Sequence, residues 1–470
     1  MNKSAELLKN IFLFFIANFL PKAITFFMVP LYTTCLTTSE YGTVDLLNTT
    51  VQLLLPFFTL QIQDAMLRFT MDKCNKKEDV FTVGTRIISA GSLIVVCGCL
   101  VLKLTGLMSL EWLYIFFLIF VFSTTAFKSI ASYFCRGIDK VKCVTISNVL
   151  YTVIVVLCNL IFLLVFKWRV YGYLAALCLG SLISTVVLFF GARLWVYIKG
   201  TVSDKQLTYK IVLFSMPMIF SALSWWTNNS LDKYILRMFW DASAVGLLAV
   251  AYKIPSILSL LGNAVANAYS ISAIKEFDAD DADGFLGKSY HTINICYVVC
   301  CSFLILVNVP LSRLLFAKDF YSAWRLVPPL LVSALASQMS LTCEQYFIAL
   351  KKTKIISATA IGGTLMNLAL NIVLIPQYGA YGAATATAIS FSMTWIMRYS
   401  IVRKYVKLKH DLFKECVSYL FVLMQVVLAF WEKQFIIWQL ILFIGLLVLY
   451  GNDIFLLIKS LLKNRRDTNK

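Results

Sequence analysis

Seven basic residues lie inside stretches that otherwise read as membrane-spanning helices: Lys22, Arg86, Lys128, Lys233, Arg237, Lys253 and Arg325. Even on the lenient insertion scale, a Lys or Arg at the centre of a bilayer costs about 2.5–3.5 kcal/mol. Such side chains normally face a cavity or a partner, and few acids lie near these in sequence. The chemistry they point to is binding, with an anion held in a hydrated path, more than the making or breaking of bonds.

Lys22 sits about fourteen residues into the first apolar stretch, roughly 20 Å at 1.5 Å per residue. A lysine stem spans only part of that distance, and Pro21 beside it favours a hinge. Lys253 lies about nine residues into the eighth stretch, close to Pro255. Asn229, Lys233 and Arg237 recur every four positions in the polar run SWWTNNSLDKYILR, so they share one helix face. These five residues are the candidates for substrate binding. Trp225 and Trp226 either stack on a ligand or pack.

Four residues are candidates for gating or ion coupling: Asp64, Arg68, Asp232 and Glu344. Asp64 and Arg68 have the i,i+4 spacing of an ion pair, with Gln61 on the same face. Arg86 and Lys128 are close enough to a helix end to snorkel, and Arg325 falls at an interface.

Other chemistries find little support. The thirteen cysteines are mostly single residues in apolar runs, which suits helix packing. His291 and His410 are too few for a metal set. No Gly-rich phosphate loop appears. The short outer loops carry no paired carboxylates for general acid–base work. We therefore expect no cofactor, no metal and no enzyme. The net charge of +18 falls in small clusters between apolar runs. That pattern fits loops facing anionic lipid and argues against nucleic acid.

The elements that must position these residues are transmembrane helices. The chain is 60% hydrophobic and 14% charged, with a mean hydropathy of +0.80. About twenty apolar residues span a bilayer, and about fourteen such stretches can be drawn between residues 8 and 458. With the N-terminus cytoplasmic, about 29 Lys and Arg fall on inner loops and termini and about six on outer loops. A missed span would scramble this alternation, so an even count with both termini cytoplasmic is expected.

Tyr171-Gly172 and Tyr381-Gly382 each open a helix rich in small residues. Their separation of about 200 residues matches a parallel repeat of two six-helix units, a transporter habit. The expected organisation is a six-helix lobe over 1–200, a cytoplasmic linker over 201–209 and a second lobe over 210–402. Two further helices and a basic tail occupy 403–470.

The run PKAITFFMVPLYTTCLTTSEYGTVDLLNTTVQLLLPFFTLQIQDAMLRF, with Glu40, Tyr41 and Gly42 opening the second helix, resembles the start of bacterial Wzx-type oligosaccharide flippases. NNSLDKYILRMFWDASAVGLLAVAYKIPSIL and KKTKIISATAIGGTLMNLALNIVLIPQYGAYGAATATAIS fit the same family. The resemblance runs in order over nearly the whole chain, but its motifs are structural and name no sugar.

The resemblance implies an all-α membrane protein with two six-helix lobes in a V-shaped, MATE-like arrangement plus two C-terminal helices. It implies transfer of polyprenyl-diphosphate-linked O-antigen or capsule units across the bacterial inner membrane. Partners would be membrane lipids, a polysaccharide polymerase and chain-length machinery. A drug/cation antiporter of the same superfamily is the alternative, though it should carry an acidic site. A membrane polymerase or glycosyltransferase would need a larger outer domain. The energy source, whether membrane potential or protonation of Asp64, Asp232 or Glu344, stays open.

Overall fold

A computed structural model describes residues 23–455, apart from 73, 108–109, 199–204, 276, 279, 283, 410 and 431–435. Among the described residues every regular element is helical. Lys22 lies outside them, as does His410. Among the described residues eight helices are long and apolar enough to cross a membrane, or up to eleven if each bent pair counts as one span. One of them, Thr353–Tyr405, breaks at Gly379 into two helices. With the shorter apolar helices Ala23–Cys35 and Ile436–Leu449, the number of spans is about fourteen. The protein is a multi-pass membrane protein.

The chain divides into two compact units, with the boundary inside one helix, between Leu231 and Asp232. The first unit begins with α1 (Ala23–Cys35), α2 (Thr38–Phe58) and α3 (Gln63–Met71). It continues through α4 (Lys77–Leu104), α5 (Trp112–Gly137), α6 (Val141–Asn159) and α7 (Arg169–Gly191) into α8 (Lys205–Phe239). The 201–209 linker expected from sequence is helical from Lys205 onward.

Local chemistry explains the start of α2. Thr37 Oγ1 accepts the Glu40 N–H at 3.2 Å, and Glu40 Oε2 accepts the Thr37 N–H at 2.8 Å. This capping box satisfies two orphan donors at once. Ile62, Met66, Phe81, Phe134, Leu188 and Ile211 close the buried core where α3, α4, α5, α7 and α8 meet.

The second unit holds α9 (Ala242–Ala251), α10 (Pro255–Lys275), α11 (Phe285–Leu306), α12 (Asn308–Leu315) and α13 (Val327–Ala349). α14 (Thr353–Tyr405) follows, then α15 (Leu412–Ala429) and α16 (Ile436–Leu449). α14 is an antiparallel hairpin. Arg398 Nε donates to Thr359 Oγ1 at 2.9 Å and Asn367 Nδ2 to Ser390 Oγ at 3.0 Å. Gly382 lies against the Leu374 carbonyl. These contacts share one register, which turns at Gly379, whose φ of +57° favours glycine. The last two helices dock on α11, where Ser302 Oγ donates to Gln425 Oε1 at 2.7 Å.

The two Tyr-Gly dipeptides occupy matching places. Gly172 starts α7 against Phe162 and Trp168, as Gly382 starts the second arm of α14 against the end of the first. In the first unit the turn is reached through a π-helical stretch, Leu160–Val165, that extends α6.

Candidate functional site

Among the described residues three spans are broken: at 59–62, at 252–254 and at Leu326. A break frees backbone groups from the helix ladder, and in membrane proteins this is tolerated where protein or water satisfies them. Two of the breaks lie beside sequence candidates.

At the first, α2 and α3 meet at 48°, and both Leu60 and Gln61 have a φ of +51°. The Gln63 side chain accepts a hydrogen bond from Ser129 of α5. Asp64 is half-buried and Arg68 exposed. The i,i+4 ion pair expected between them does not form. Instead the Arg68 guanidinium lies 5.6 Å from the Phe214 ring centroid. A flexible cation at an exposed site has little to gain from a single carboxylate.

Lys128, one residue before Ser129, points into the unit. Its ammonium lies 4.7 Å from the Tyr151 ring centroid, and among the described residues it has no carboxylate partner. It does not snorkel as the sequence suggested. The cation–π contact takes the place of the water that snorkelling would provide.

The second break lies between α9 and α10, which meet at 47°. Asp241 caps α9, its Oδ1 accepting the Ala244 N–H at 2.8 Å. Pro255 starts α10 and cannot donate to the turn before it. Lys253 is half-buried in the turn between them. Tyr252 donates its hydroxyl to Asp232 Oδ2 at 3.1 Å. Asp232 is buried, and its Oδ1 accepts the Lys233 N–H at 2.9 Å.

The break thus joins Asp232 and Lys233 of α8 to the Tyr252-Lys253 turn. Asn229 and Arg237, on the same face of α8, are exposed. The end of α8 is held in place by Trp240, whose Nε1–H donates to the Ile375 carbonyl at 2.9 Å. Trp226 packs, donating its indole N–H to the Thr49 carbonyl at 3.0 Å. The Trp225 side chain lies outside the described residues.

Glu344 lies apart from both breaks. It pairs with Arg398. Arg398 is buried, and its Nη1 also donates to Ser340 Oγ at 2.8 Å. A guanidinium so fully satisfied is a lock between α13 and both arms of α14. Arg325 is exposed near the Trp324 ring, 5.5 Å from its centroid. Tyr252 and Ser129 are polar partners whose only signal in the sequence is adjacency to Lys253 and to Lys128.

Comparison with known proteins adds family and fold. Residues 7–271 match the family described as polysaccharide biosynthesis protein. A probable low-salt glycan biosynthesis flippase, Agl15, of Haloferax volcanii is 22% identical over 223 residues. That alignment covers 46% of this chain and 47% of the relative, so the chain spans about half the length of the curated relative it matches.

Among solved structures, the lipid II flippase MurJ in its inward closed conformation superposes with a TM-score of 0.72 at 14% identity. The match covers 93% of this chain and 99% of that one. An inward-facing MATE multidrug transporter of the MOP superfamily superposes at 0.65 and 13% identity, over 82% and 94% of the two chains. The helical order is thus that of the MurJ and MATE fold, and by the match over more than half its length this chain belongs to the polysaccharide biosynthesis protein family.

Proposed function

We propose that this protein moves a polyprenyl-diphosphate-linked oligosaccharide from the cytoplasmic to the outer leaflet for surface polysaccharide assembly, by alternating access. The glycan headgroup crosses along a hydrated, cationic path while the lipid tail stays in the bilayer. Family membership and the likeness to a glycan flippase support the reading. One structural observation carries it furthest: Lys253 sits in a broken span beside the Asp232–Tyr252 hydrogen bond. Broken helices that place charge at mid-membrane are where transporters hold charged cargo.

In this reading Lys253, Lys233, Arg237, Asn229 and Lys22 contact the diphosphate or the first sugars. Asp64, Arg68, Asp232 and Glu344 gate the path or couple it to an ion. The membrane is the bacterial inner membrane, both termini are cytoplasmic, and polymerase and chain-length proteins act downstream.

The test is complementation of a flippase-deficient strain by Lys253→Ala and Lys233→Ala, with protein in the membrane quantified. Loss of surface glycan at normal protein level supports the assignment. Normal export by both variants overturns it. Transport of a cationic dye without complementation would point to antiport instead, with the buried carboxylate of Asp232 as its site. Reporter fusions after Lys76, Lys205, Lys352 and Lys407 should report cytoplasm, and those after Thr38, Asp241 and Gln377 the exterior.

A further inference from the structure

A charged cluster that the transport reading does not use joins three helices at one end of the second unit. His291 lies two turns into α11, with its side chain 16% exposed. Its Nδ1 is 3.4 Å from Glu415 Oε1 on α15, and the Glu415 side chain is only 4% exposed. Its Nε2 is 3.7 Å from Asp453 Oδ2, four residues beyond the last residue of α16. Lys414 Nζ reaches the same Asp453 oxygen at 3.3 Å. The ring also lies edge-on to Tyr450, whose hydroxyl donates to Ser418 Oγ at 3.0 Å.

The other charges nearby are engaged elsewhere or lie in the open. Glu344 on α13 is taken by Arg398. Arg403 on α14 and Lys288, one turn earlier on α11, are exposed. Asp411 caps α15 through the Phe413 and Lys414 N–H groups at 3.1 and 3.2 Å.

An imidazolium has two N–H donors and serves both carboxylates. A neutral imidazole has one, and its second nitrogen presents a lone pair to a carboxylate. We propose that His291 is a pH-sensitive clasp, holding Glu415 and Asp453 together when protonated and releasing Asp453 when neutral. Asp453 is the one released because the Glu415 contact is shorter and more buried. Lys414 is already in place to receive the freed carboxylate. The attachment of α16 to α11 therefore weakens as pH rises through the range in which imidazole titrates, about pH 5 to 8. The last helix, α16, becomes an element whose docking tracks the proton concentration at that end of the molecule.

The test is hydrogen exchange on the full-length protein in lipid nanodiscs, comparing wild type with His291→Asn at the same pH. At pH 6, amides of 436–449 should exchange several-fold more slowly in wild type, the protection expected of one partly buried ion pair. At pH 8.5 the two should exchange alike. Asp453→Asn should match His291→Asn in 436–449 while leaving 412–429 protected. It carries the test alone if the histidine variant does not accumulate. Equal exchange at pH 6, or one constant ratio at both pH values, overturns the clasp. The readout needs no glycan, so it stands apart from the flippase assignment.

Discussion

The two broken spans beside the candidate residues bend almost equally, by 48° at 59–62 and 47° at 252–254, yet they are built differently. The first has two consecutive non-glycine residues, Leu60 and Gln61, in the left-handed region, which costs roughly 1–2 kcal/mol per residue. It is held by a dense core, with Ile62, Ala65 and Met66 fully buried just beyond it. Gly91 of α4 packs directly against the Phe58 carbonyl. The second uses Pro255 with no positive φ; Ala251 and Ile254 are fully buried there too, but Asp232, Tyr252 and Lys253 add a polar cluster that the first break lacks. Strain locked by packing is what a fixed joint requires, whereas the second break, with its charged residues and no such strain, is the one we propose for binding.

The largest effect that would test this contrast is on export. Lys253→Ala should reduce surface glycan at least about ten-fold with membrane protein unchanged, and Lys253→Arg should restore part of it, since charge is kept but reach and geometry change. Next is Gly91→Ala, which should act on folding. Its methyl would overlap a backbone carbonyl, and overpacking of this kind costs about 3 kcal/mol, read as a lowered unfolding midpoint and reduced accumulation. If Gly91→Ala lost export but not stability, the first break would be the working one and the contrast would reverse.

Tyr252→Phe removes one donor to a buried carboxylate and should cost about 2 kcal/mol, with export falling alongside. Smallest is Gln61→Gly, which relieves one left-handed residue and should raise stability by about 1 kcal/mol. A loss of stability there would mean that the Gln61 side chain holds the joint.

Spans and hairpins were legible in the sequence because a bilayer imposes long apolar stretches, and because Tyr-Gly recurs where a helix starts tightly against its predecessor. The breaks were less so. Pro255 announced one, but Leu60-Gln61 contains neither glycine nor proline, and only the surrounding core forces its conformation. The pairing of Asp64 with Arg68 followed from spacing alone and failed because Arg68 found an aromatic ring across the unit. Arg398, close to the basic run Arg403-Lys404, carries no local sign of burial. Its burial depends on Ser340, Glu344 and Thr359, which come from distant parts of the chain. Lys233 and Lys253 stood out in the sequence as cations within apolar stretches, and the tyrosine that ties their neighbourhood to Asp232 did not.

The register of the α14 hairpin bears on how this protein is made. Asn367 bonds to Ser390 and Arg398 to Thr359, each pairing one arm with the other. Most of the polar groups that would oppose entry into lipid therefore find partners within a single stretch of 53 residues. Such a stretch can leave the translocon as one folded pair, its costly side chains already satisfied. Glu344 and Ser340, which complete the Arg398 site, come from the preceding helix, so α13 and α14 form a natural unit of membrane insertion.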